Sequence, residues 1–237
     1  MYTDQLIRPD LTDLADPTEG YDFYREIHKG IRLSLFELVL DVGRLDVAEA
    51  ADVERVLTAH RSLFDLLDLH HHHEDTWIQP LIVEHAPGLG RIVEAQHSDV
   101  HEGMAHLRTL TDRLAHASGS RRSVAAHRLY LDLSELTSAY LAHQLVEENA
   151  VMPALRAAVP TEDLMALDQS IRASIAPDAM GRILGVVLRA MNLDERVELA
   201  MGMSMAPPEV FAGFRFVATD ALPAHEWAAV TSRMGIV

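Results

Sequence analysis

Residues 66–82 read LLDLHHHHEDTWIQPLI, and this stretch decides the fold. Four histidines and three acids sit in a run whose apolar residues recur at helical spacing. Leu63, Leu66, Leu67, His70, Glu74, Trp77, Ile78 and Leu81 share one helical face, so the apolar stripe passes straight through His70 and Glu74. Residues four apart project from one face, one turn from each other. The competing pair, His71 and Asp75, lies in line with Phe64 and Asp68, a less consistently apolar row. His70 and Glu74 are therefore expected to point inward. His72 and His73 are expected to face solvent or to stand behind the inward pair. Pro80 is expected to kink the helix near its end.

Working outward, the same test applies to three more patterns. In HQLVEENAVMPAL, residues 143–155, His143 and Glu147 share a face with Leu133, Leu136, Tyr140, Ala150, Val151 and Ala154. Glu148 neighbours a row with Leu141, Leu145 and Met152 and stays open as the alternative carboxylate. His97 and His101 are spaced alike, on a stripe with Val93, Val100, Met104 and Leu107. His28 lies with Tyr24, Ile31 and Leu35. Taken singly, His28 reads as a core histidine and the polyhistidine run as a solvated face. Together, two carboxylates and five histidines fall on the inner stripes of successive helices. A buried carboxylate without a partner costs several kcal/mol, and Arg32 is the one obvious inward-capable base. The donor set suits a pair of borderline transition-metal ions.

Composition narrows the alternatives. The 237 residues can bury a substantial core, and scarce aromatics with plentiful Ala, Leu and Met favour helix. A net charge of −16 argues against nucleic acid or an anionic membrane surface as the main partner. The absence of cysteine excludes disulfides, thiolate metal sites and cysteine nucleophiles. The N-terminus shows no signal-peptide pattern, and the longest apolar stretch, residues 183–188, is too short to span a bilayer. A cytoplasmic protein is expected. No phosphate loop, dinucleotide fingerprint or nucleophile–base triad competes with the histidine site.

Punctuation divides the chain into an irregular arm (1–17), a bundle (18–159) and a C-terminal helical extension (160–237). The expected fold class is all-α, an up-down-up-down four-helix bundle with that extension as an appendage. Its long helices are placed at about 18–45, 48–85, 89–117 and 121–159. The appendage is expected to hold short helices near 161–174, 178–191, 194–204, 208–220 and 223–234. Its methionines between Met180 and Met205 form an adaptable packing surface, a cofactor pocket or a contact with a second copy of the chain.

The ordered set of His28, His70–Glu74, His97–His101 and His143–Glu147 resembles the hemerythrin-like family, also called HHE cation-binding proteins. The two quoted phrases, each with a proline just past the site, are similar to that family's paired signature. The resemblance implies a non-haem di-iron centre with an oxo or hydroxo bridge, although manganese or zinc suits similar ligands. It implies that His97, His101 and His143 hold one iron, His28 and His70 the other, and that Glu74 and Glu147 bridge them. Hemerythrins proper place an aspartate where this chain has Glu148. Five neutral imidazoles against two carboxylates disfavour high-valent iron, so reversible binding of dioxygen, nitric oxide or peroxide is the leading expectation. A di-iron oxidase, oxygenase or peroxide-decomposing enzyme is the alternative, as is iron storage or sensing.

Overall fold

A computed structural model describes residues 20–235. The arm at 1–17, and the helix start expected around Asp16–Thr18, lie outside the described residues. Every element is helical, and there is no strand among the described residues. The long elements are α1 (Arg25–Gly43), α2 (Ala50–His73), α4 (Pro87–His116) and α5 (Ser120–Val146). Helix α2 runs through a π-helical turn, Glu74–Ile78, into α3 (Gln79–His85). Helix α5 runs through a second π-helical turn, Glu147–Val151, into α6 (Met152–Ala158). The remainder forms α7 (Thr161–Ser174), α8 (Pro177–Ala190), α9 (Leu193–Ser204), α10 (Pro208–Ala221) and α11 (Ala224–Arg233), close to the expected short helices. No helix among the described residues is long and apolar enough to cross a membrane.

The long helices contribute to two apolar clusters, and each helix changes cluster at a histidine. Below the site, one cluster holds Ile31, Leu67, Val100 and Tyr140. Above it, a second holds Tyr24, Ile78, Val93 and Val151. His28, His70, His97 and His143 lie between these paired flanks in sequence, so the polar layer interrupts an otherwise continuous core.

Prolines explain the two π-helical turns. Pro80 and Pro153 each withdraw an N–H from the helical ladder, and a proline ring crowds the carbonyl four residues back. The helix widens ahead of each one. The Gln79 N–H donates to the Glu74 carbonyl and the Met152 N–H to that of Glu147, both five residues back. Widening changes the phase of the buried face. Ile78 is buried as expected, but Ile82 takes the place of Leu81 inside, and Trp77 and Leu81 are half-buried. Past Glu147 the buried residues are Val151, Met152 and Leu155 rather than Ala150 and Ala154. Pro80 thus acts by expanding a turn ahead of itself.

The appendage has its own apolar cluster, built on Leu188, Ala200, Phe214, Ala218 and Val230 and joined to the bundle through Ile27. Helix α8 packs against α1. Gly30 sets that approach, because a Cβ there would stand 2.9 Å from Val186 Cγ1. Lys29 pairs with Glu195, which also closes a capping box with Asn192 at the start of α9. Arg189 pairs with Glu37. Overpacking of the α1–α8 contact is expected to cost about 1–3 kcal/mol. Gly30→Leu should therefore lower the urea midpoint and speed proteolysis after residue 160. Gly88→Ala, with open space around its Cβ, should not.

Candidate metal centre

The site is a buried layer contributed by α1, α2, α4, α5 and the two π-helical turns. Each glutamate opens its turn, so His70–Glu74 and His143–Glu147 keep α-helical spacing on their N-terminal side while the chain widens immediately after. His28, His70, His71, His97, His143, Glu74 and Glu147 are all buried.

Distances sort these donors into two groups. His70 Nε2 is 3.1 Å and His28 Nε2 3.8 Å from Glu74 Oε1. His97 Nε2 is 3.6 Å from the other oxygen, Glu74 Oε2. Glu147 Oε2 lies 3.2 Å from His143 Nε2 and 3.4 Å from His28 Nε2, and Glu147 Oε1 lies 4.0 Å from His97 Nε2. Both carboxylates thus turn one oxygen to His28 and the other to His97. Bonds of roughly 2.0–2.2 Å at tetrahedral or octahedral angles put neighbouring donor atoms about 3.0–3.6 Å apart. Two sets come near this, with one donor atom per residue and all within 4.8 Å of one another: His28, His70 and Glu74; and His71, Glu74, His97 and His143. Glu74 belongs to both and Glu147 to neither, although Glu147 lies beside His28 and His143.

The donors also fit a cation by what they lack. The Nε2 atoms of His28, His70, His97 and His143, both nitrogens of His71 and all four oxygens of Glu74 and Glu147 are buried without a hydrogen-bond partner among the described residues. Groups this deep are ordinarily satisfied. Burial, and then the carboxylate of Glu74, push Glu147 well above its ordinary value, so it holds a proton where no cation is bound. Burial and neighbouring imidazoles keep His70 and His143 well below theirs, and take His71 down to about 3. These are neutral nitrogen donors at pH 7.

The far side of several rings is held. His97 Nδ1 is 2.7 Å from Asp75 Oδ1, and His143 Nδ1 is 3.2 Å from Gln96 Oε1. His28 Nδ1 is 3.0 Å from Glu148 Oε1, and Arg32 donates to both Glu148 oxygens at 2.7 and 2.9 Å. Burial alone would lower His28 and raise Glu148. The bonds outweigh it, raising His28 and holding Glu148 down to about 2. With Nδ1–H committed outward, Nε2 is presented inward as the lone-pair donor.

Of the residues singled out by pattern, His28, His70, Glu74, His97, His143 and Glu147 converge. His101 does not join either set: it is exposed, with its ring 5.0 Å edge-on from that of His71. His71, expected on a poorly buried row, is completely buried instead. Its row is His60, Phe64, Leu67, His71, Glu74 and Ile78, every member buried at helical spacing. Following Phe64 to Leu67, rather than to Asp68, finds it. His72 is exposed, and His73 is buried beside Ser174 of α7, 3.3 Å from its hydroxyl. Glu148 faces away from the carboxylate pair, toward Arg32, and no pattern singled out Asp75 or Gln96 for the role of ring support.

Comparison with known proteins agrees with this geometry. The family model described as Hemerythrin HHE cation binding domain matches residues 19–155. No curated protein and no solved structure matches the chain.

Two outcomes follow for a cation-binding centre. Asp75→Asn and Glu148→Gln should each weaken metal retention by about 10–100-fold in chelator competition, since they remove ring support without touching a donor. The metal-free protein should lose stability as pH rises above 4.5, the ordinary value for Glu147. There the unfolded chain has released a proton that the buried carboxyl still holds. Urea midpoints of wild type and Glu147→Gln across pH 4–8 check this: the wild type should fall relative to the variant, and bound metal should remove the trend.

Proposed function

The chain belongs to the hemerythrin HHE cation-binding family, and on that premise we propose that it is a non-haem di-iron protein that reversibly binds dioxygen, or a related small ligand such as nitric oxide or peroxide. The observation that carries this reading is the ratio of donors. Buried neutral imidazoles outnumber the two buried carboxylates, Glu74 and Glu147. Such a pair of irons, bridged by an oxo or hydroxo group, supplies a reversible redox change and an open coordination position.

The residues divide the work. Glu74 and Glu147 bridge the two ends. His28 and His70 hold the end with fewer imidazoles, which therefore keeps the open position. His97 and His143 hold the other. His71 completes that end in the arrangement described, with His101, edge-on to it, as the alternative. Tyr24 and Tyr140 close the layer from above and below. Their rings lie 4.9 Å from His28 and 5.3 Å from His71, and both hydroxyls are buried without a partner. They exclude water and offer a proton to a small polar ligand. The up-down-up-down order belongs to the same reading. Helix α1 contacts α2 and α5, and α4 contacts the same two, the closed ring of neighbours that such a bundle requires.

The protein loaded with ferrous iron should bind two irons per chain. Its visible spectrum should change on admitting dioxygen and return on degassing. Rapid, irreversible conversion to the ferric form would instead make it an oxidase. His71→Ala should lose iron while His101→Ala keeps it, and the converse result returns that position to His101.

A further inference from the structure

Between bundle and appendage lies a cavity of about 120 Å³ that ends on His70 and Glu74. The bundle supplies Ile27, Leu66 and Ile78 to its walls, and the appendage supplies Ile171, Ile175 and Ile183. A diatomic ligand needs far less space. An apolar cavity of about 150 Å³ elsewhere takes up benzene or xenon. We propose that this cavity seats a small, uncharged, mainly apolar organic molecule, up to about the size of one aromatic ring, against the His28–His70 end of the metal centre. The proposal rests on the di-iron reading only for what that end does to the ligand. The seat itself is a property of the protein.

Two features define the ligand. The walls are apolar, which admits a ring or short branched chain and resists a charged one. At the mouth, Asp168 accepts from Tyr21 Oη at 2.5 Å and from Arg172 Nε at 2.9 Å. The guanidinium there is committed to Asp168, and Glu26 beside it adds a further acid, so the mouth disfavours anions. Tyr24 lines the cavity but is 1% exposed with its hydroxyl fully buried, so it adds apolar wall and no polar contact. Benzene or a similar unsubstituted ring meets both conditions.

The position of the cavity also assigns the appendage a role. Without α7 and α8 one side of the cavity would be open, and His70 would lie near solvent. The hydroxyl of Ser174, beside His73, marks where α7 comes down on the polyhistidine turn.

Titration of full-length metal-free protein with benzene, phenol, benzoate and benzylammonium, followed by calorimetry and ligand-observed NMR, tests the seat. Saturable one-to-one binding of benzene and of phenol is expected, with both ions at least about 10-fold weaker than benzene. Ile175→Trp fills the cavity from the appendage side and should weaken benzene at least 10-fold while leaving iron content unchanged. If that variant does not fold, Ile183→Ala should shift preference from benzene toward ethylbenzene. Absence of saturable benzene binding, or binding indifferent to both substitutions, overturns the proposal. A protein that binds benzene but not two irons would overturn the di-iron reading and leave the seat standing.

Discussion

Two carboxylates, Glu74 and Glu147, face one another in the interior beside His70, His71 and His143, whose burial keeps them neutral. Everything else in the bundle answers to that constraint. No lysine or arginine reaches this pair among the described residues. Arg32, the nearest suitable base, is committed to Glu148. Without a cation, burial and the facing Glu74 carboxylate raise Glu147 well above its ordinary value and favour a proton on it. A bound cation replaces that proton and engages both oxygens of each group together with the orphaned ring nitrogens. The centre therefore links metal binding, proton release and stability, because the same few atoms are under-satisfied in the absence of metal.

The cost of holding such a layer open falls on the helices around it. A regular α-helix through Pro80 would meet a clash four residues back. The widened turn removes it and brings Ile82, rather than Leu81, inside after Glu74 and Ile78. The same device recurs at Glu147 and Pro153, so the two carboxylates enter from equivalent turns on two helices. Apolar flanks complete the support. Each contributing helix has a buried residue on either side of its histidine, from Tyr24 just ahead of α1 and Ile31 on it to Val93 and Val100 on α4. His28, His97 and His143 are thereby held laterally as well as through their Nδ1 atoms.

Much of this was legible in the sequence because burial and chemistry coincide at helical period. The long helices, the short ones of the appendage and the inward carboxylates follow from stripes of leucine and valine that run through polar residues. Three things were not legible, for physical reasons. Pattern arithmetic at 3.6 residues per turn fails once a π-helical turn intervenes, which is why Trp77 and Leu81 were expected inside. In a run of four histidines the stripe is wide enough for two neighbouring rows to be buried, and His71 shares the interior with His70. Partnerships such as His97 with Asp75, or His28 with Glu148, depend on how helices are rotated against each other, which no single helix encodes.

The appendage changes how selective the centre can be. A bare four-helix bundle with a histidine-rich layer discriminates among ligands by size and by what the metal accepts. Packing α7 and α8 over His70 adds a preselecting volume with apolar walls and an acidic mouth. On the proposal above, a ligand seated there would lie against the side of the centre that holds His70. Gly30 makes this possible, since any side chain there would lift α8 from α1 by contact with Val186. Selectivity at the metal would consequently respond to substitutions at the α1–α8 seam, far from any donor atom. A centre that only carried dioxygen would gain nothing from that dependence.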